Sequence, residues 1–131
     1  MRILLDTHIA LWAVVDSPLL PAAAARRILA ADEVLVSAAS VWEIATKHAL
    51  GRGDMPVSSA QALRAFQDAG YRLLDIRPEH AVRVEALPPI HRDPFDRLLV
   101  AQAQTEPLRL ITADTVLGAY GELVDVLAGQ G

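Results

Sequence analysis

At 131 residues the chain can enclose one hydrophobic core without disulfide or metal staples. Hydrophobic residues at 53% and charged residues at 21% exclude a disordered polymer, and the absence of cysteine excludes disulfides and thiolate metal sites. The formal charge of −4 opposes any grip on nucleic acid by bulk attraction, unless clustered acids are neutralised locally by bound cations.

Eleven of the twelve basic residues are arginine, which suits bidentate phosphate contacts without proving them. Arg2 before a largely apolar run imitates a secretory leader, yet Asp6 and His8 interrupt that run and no small-residue cleavage site follows. No stretch approaches the eighteen or so apolar residues of a membrane span. The expectation is a soluble, cytoplasmic protein.

Residues 2–5 read as a buried strand, followed by a short helix over 9–15. Ser17-Pro18 and Pro21 break the chain, and Pro21 introduces a helix over 22–31. Residues 34–36 form a second buried strand. Ser37 or Ser40 can cap a long helix over about 38–50, stopped by Gly51 and Gly53. Met55-Pro56 opens a loop, Ser59 leads a helix to Ala69, and Gly70 ends it. A third strand occupies 71–76, Pro78 starts a helix to about Ala86, and 87–92 is an irregular loop. Asp93-Pro94 starts a helix to about Thr105, 109–111 is a fourth strand and 123–126 a fifth. Strands alternating with helices predict a single domain over 1–131: a parallel sheet of four to five strands with helices on both faces. In the doubly wound order 3-2-1-4-5 the first and fourth strands meet at the switch point, where ligands bind beyond the carboxyl ends.

Four carboxylates fall where they could share that point, and each also has a plain structural role. Asp6 ends the first strand and could equally cap the next helix. Glu43 stands off the apolar stripe of Val41, Ile44 and Ala45. Periodicity alone therefore puts it with Lys47 in a solvated i,i+4 pair worth about a few tenths of a kcal/mol. Asp96 is more telling, because Leu99, Val100 and Ala103 continue its face of the helix, and a charge on a buried face needs a partner or a metal. Asp93, in front of Pro94, is best read as that helix's cap, with a supporting role in the site as the other reading. Asp114 follows the fourth strand and again could be a cap. Clustered carboxylates repel and raise one another's pKa unless a cation sits among them. Oxygen donors without cysteine select Mg²⁺ or Mn²⁺ over zinc, and such an ion lowers the pKa of a bound water and steadies phosphodiester charge.

The segments Leu4-Leu5-Asp6-Thr7-His8, Ser40-Val41-Trp42-Glu43-Ile44, the run from His91 to Ala103, and Ile111-Thr112-Ala113-Asp114 resemble the motifs of PIN-domain proteins. They are most similar to the VapC-like toxin ribonucleases of toxin–antitoxin pairs, and the likeness spans nearly the whole chain. It implies a three-layer α/β/α PIN-like fold and Asp6, Glu43, Asp96 and Asp114 as metal-site acids, with Thr112 a polar neighbour. It also implies Mg²⁺-dependent RNA cleavage leaving a 5′-phosphate, a homodimer, and inhibition by a cognate antitoxin.

Lesser candidates carry competing readings. Thr7 and Ser40 could orient water or ligands but are ordinary caps. Arg92 and Arg97 flank the site and could hold RNA phosphate or sit in solvent. Lys47 could pair with Glu43 or steady the reacting phosphate. His8 and His91 lack a partner at metal-ligand spacing, and Trp12 and Trp42 suit core or dimer contacts better than base stacking. An aspartyl-phosphate phosphatase also opens on a strand ending in Asp, but would carry a second Asp where this chain has His8. A non-catalytic binding module of the same fold is the remaining alternative, and four intact acids argue against it.

Overall fold

A computed structural model describes residues 1–53 and 55–128. Strands β1 (Arg2–Leu5), β2 (Glu33–Ser37), β3 (Arg72–Leu74), β4 (Arg109–Thr112) and β5 (Val124–Val126) form one parallel sheet in the order β3-β2-β1-β4-β5. Around it lie α1 (Thr7–Val14), α2 (Ala22–Ala30), α3 (Ala38–Ala49), α4 (Ser59–Asp68), α5 (Pro78–Glu85) and α6 (Pro94–Thr105), with a 3₁₀ helix over Thr115–Tyr120. The predicted strand order is the one observed. Among the described residues, no helix is long and apolar enough to cross a membrane.

The sheet separates two apolar cores because successive side chains of a strand point to opposite faces. Ile3 and Leu5 of β1 join Val36, Ile111, Ile9, Ile44 and Phe66 on one face. Leu4 joins Leu35, Leu99, Val100, Leu110 and Leu117 on the other. Ile3, Leu4 and Leu5 are fully buried and only Arg2, at the start of β1, is exposed, so this central strand is apolar wherever both its faces are covered. Its register sets Leu5 beside both Val36 and Ile111.

Local chemistry refines several boundaries. The first helix begins at Thr7 rather than Ile9, because Asp6 caps it directly by accepting from the His8 amide at 3.1 Å. Ser37, not Ser40, caps α3, accepting from the Ala39 amide at 2.9 Å. Ser58 caps α4 through a reciprocal capping box with Gln61. The third strand is shorter than the apolar run suggested, covering Arg72–Leu74.

Candidate metal centre

The carboxyl ends of β1 and β4 lie side by side: the Asp6 amide donates to the Ile111 carbonyl at 2.9 Å. That pairing sets Asp6 next to Thr112, whose hydroxyl donates to Asp6 Oδ2 at 2.5 Å and accepts from the Asp114 amide at 3.0 Å. Thr112 thus ties two acids of the site together through one oxygen. It is fully buried, and Asp6 is 7% exposed.

Glu43 departs from the periodicity reading. It is not on a solvated face; it is 2% exposed. The buried residues of α3 are Ala39, Ser40, Glu43 and Ile44, so the face turned to the protein is centred roughly a third of a turn away from the apolar stripe. Trp42, 57% exposed with its ring set edge-on to Phe95 at 4.7 Å, takes the outward position instead. Glu43 Oε2 does pair with Lys47 Nζ, at 2.5 Å. Its other oxygen, Oε1, is buried without a hydrogen-bond partner.

Asp93 caps α6, accepting from the amides of Phe95 at 2.8 Å and Asp96 at 3.4 Å, and Lys47 Nζ lies 4.0 Å from its Oδ2. One turn into the helix, Asp96 meets His91, a residue that spacing along the chain left without a partner. His91 Nε2 stands 3.4 Å from Asp96 Oδ2 and 3.0 Å from Asp114 Oδ2. The ring's Nδ1 accepts from the Asp93 amide at 3.0 Å, so the N–H is left at Nε2, facing the two acids. No helical or strand spacing signals this approach. It depends on the path of the irregular segment 87–92, whose His91 amide donates to the Tyr120 hydroxyl at the end of the 3₁₀ helix at 2.8 Å.

Asp6, Glu43, Asp93, Asp96 and Asp114 line one cleft of about 480 Å³ together with Lys47, His8, His91, Trp12 and Ala113. Five carboxyl groups therefore face a single ammonium. Burial pushes the Asp96 carboxyl up from 3.8 to about 7, aided by the charges of Asp6, Asp93 and Glu43. Burial also raises Asp6, against the hydrogen bond from Thr112. Such a set is unfavourable by itself and becomes favourable around a cation. His91, Asp96 and Asp114 bring one nitrogen and two carboxylate oxygens within 4.8 Å of one another, and with its proton on Nε2 the imidazole donates to these acids rather than to a cation. The orphaned Glu43 oxygen and the all-oxygen acids beside it fit a hard divalent ion.

The other candidates separate. Thr7 is buried and donates to Ser40 Oγ at 2.8 Å, joining the starts of α1 and α3 without lining the cleft. Arg97 turns away from the cleft. Its guanidinium donates to the carbonyls of Pro88 at 3.0 Å and Val84 at 3.2 Å and to the Tyr120 hydroxyl at 3.2 Å. These bonds engage both terminal nitrogens of Arg97 and hold the 87–92 loop. Arg92 is exposed and also outside the cleft lining.

A switch-point sheet with carboxylates gathered at its strand ends defines a class of α/β domains able to hold a catalytic divalent cation. A family model described as PIN domain matches residues 3–123, and the chain belongs to that family. It is 33% identical over 119 residues to Ribonuclease VapC22 of Mycobacterium tuberculosis (strain ATCC 25618 / H37Rv), across 90% of this chain and 91% of the relative. Two solved structures share the fold. One is VapBC2 from Rickettsia felis bound to a DNA fragment from its promoter: TM-score 0.67, 15% identity, 96% of this chain and 98% of that one. The other is a toxin–antitoxin complex from Klebsiella pneumoniae: TM-score 0.66, 20% identity, 95% and 96%.

Proposed function

We propose that the protein is a Mg²⁺-dependent endoribonuclease acting as the toxin of a toxin–antitoxin pair, with Mn²⁺ able to replace Mg²⁺. One observation carries the reading: acids from four different elements share a cleft in which the buried Glu43 Oε1 has no protein partner. The ribonuclease relative supports the choice of RNA. The likeness to toxin–antitoxin complexes supports a cognate antitoxin as partner. A homodimer, cytoplasmic location and a single domain over the whole chain complete the proposal.

Asp6, Glu43, Asp96 and Asp114 would hold the cation, which when bound lowers the pKa of a water and offsets charge on the phosphodiester. Hydrolysis with these products would join a water oxygen to phosphorus and break the bond from phosphorus to the 3′ oxygen, which takes up a proton, leaving a 5′-phosphate and a 3′-hydroxyl. The chain's own groups prepare this site. Thr112 fixes the direction of Asp6, the helix-capping bonds of Asp6 and Asp114 immobilise one oxygen of each, and Lys47 holds Glu43. Asp96, its carboxyl pushed up to about 7 before a cation arrives, must be deprotonated to ligate.

Asp6→Asn and Asp96→Asn are expected to fold while losing Mg²⁺-dependent RNA cleavage by more than about 100-fold, since even residues behind metal ligands cost 10- to 100-fold. Undiminished cleavage by both purified variants would sink the assignment. Phosphate release from small phosphoesters with RNA left intact would point to the phosphatase instead.

A further inference from the structure

We propose that the His8–Trp12 wall of the cleft is a nucleobase subsite, stacking an unpaired base of the RNA next to the scissile phosphate. The proposal rests on the ribonuclease reading and says where affinity for RNA comes from. Five carboxyl groups line the cleft, and its one ammonium, Lys47, already lies 2.5 Å from Glu43 and 4.0 Å from Asp93. A bound cation offsets charge where the phosphodiester is cut, but nothing in the lining follows a phosphate backbone away from that point. Within the cleft, attraction can instead come from stacking on an aromatic surface, and the lining has one. His8 and Trp12, four residues apart on α1, bring their ring centroids to 5.7 Å at a tilt of 48°.

The placement suits a base beside a phosphate. The helix that carries both rings is capped by Asp6, so Trp12 stands six residues, roughly 9 Å along the axis, from a metal-site acid. Trp12 is half-buried against the core that contains Ile9 and Leu11, which holds the ring rigid while one side meets the cleft. Trp42 is more exposed but does not line the cleft. Every base has a π-face, so such a platform tolerates sequence and requires only that the base be out of its stack. The substrate class is therefore single-stranded RNA or an open loop.

Fluorescence provides the test, because the chain has two tryptophans. In Trp42→Phe the signal reports Trp12 alone. Pentaadenylate RNA, added with Ca²⁺ in place of Mg²⁺ to slow cleavage, is expected to quench it. An abasic pentaribose phosphate and a fully paired duplex are not. In steady-state assays Trp12→Leu should raise KM for single-stranded RNA by roughly 10- to 100-fold. Mn²⁺ affinity should be unchanged, and Trp12→Phe should recover most of the loss. Equal quenching by the abasic strand, or an unaltered KM in Trp12→Leu, overturns the subsite and leaves the ribonuclease reading standing. A wild-type protein that cleaves no RNA overturns that reading itself. Quenching by an oligoarginine peptide but not by pentaadenylate assigns the wall to a cationic protein partner and also overturns the proposal.

Discussion

Asp6 and Asp114 each carry two duties on one carboxylate. Asp6 Oδ1 accepts from the His8 amide while Oδ2 takes the Thr112 hydroxyl; Asp114 Oδ1 accepts from the Val116 amide while Oδ2 faces His91. Capping and site formation are therefore not alternatives. The cap orients the acid. Thr112→Val keeps the shape but removes the donor to Asp6 and the acceptor for the Asp114 amide. It is expected to weaken Mn²⁺ binding by about 10- to 100-fold in a calorimetric titration. Stability should fall by about 1–3 kcal/mol on urea denaturation. Asp96 predicts a pH dependence. Its carboxyl has a folded pKa of about 7 against an ordinary 3.8, so the protonated acid favours the folded state. That contribution is fully present below 3.8 and lost as pH rises through about 7. Thermal melts in a chelator should accordingly show the wild type losing Tm relative to Asp96→Asn across this range. Asp96→Asn should flatten the decline and raise Tm near pH 8 by on the order of 5 °C. Added Mg²⁺ should stabilise the wild type most above neutrality, by binding the folded state. A Tm difference between Asp96→Asn and the metal-free wild type that does not change with pH would contradict the assignment.

At the scale of elements, α3 and the segment before α6 decide what enters the cleft. The phase of α3 is set by what packs on it, not by its apolar stripe, and this turns Glu43 inward while Trp42 faces out. Residues 87–92 are irregular, so their shape is imposed from outside, chiefly by Arg97 reaching back to the Pro88 and Val84 carbonyls and to Tyr120. Arg97→Lys retains charge but not the planar fork that serves several acceptors at once. Loss of these charge-assisted bonds should cost about 1.5–3 kcal/mol. Hydrogen exchange should quicken in residues 87–92 before it does in β1. Equal protection in variant and wild type would show that the loop holds without the clamp.

For the whole molecule, a net charge of −4 and an acidic cleft predict weak electrostatic attraction to RNA. With single strands, each neutralised phosphate adds about −0.7 to the slope of log K against log salt. The slope for an RNA oligonucleotide in constant Mg²⁺ should correspond to one contact or fewer. A slope of five contacts or more, read from titrations at graded salt, would reveal a basic track elsewhere on the surface. Apart from Ala113, all nine residues lining the cleft are polar, charged or heteroaromatic, so an entering ion meets donors prepared for it.

Much of this was legible in the chain itself. The alternation of strands and helices dictates a parallel sheet, because parallel neighbours need a crossover between them. Asp6 and Asp114 follow short apolar runs directly, so their strand-end positions can be read without coordinates, as can Asp96 from the stripe it shares with Leu99, Val100 and Ala103. The Asp93 cap, too, is local chemistry. Only the tertiary structure decided three matters: Glu43's inward face, His91's approach to two acids, and Arg97's engagement with a loop rather than phosphate. Each depends on the rotation of a helix or the path of an irregular segment, and neighbours distant in sequence set those through packing.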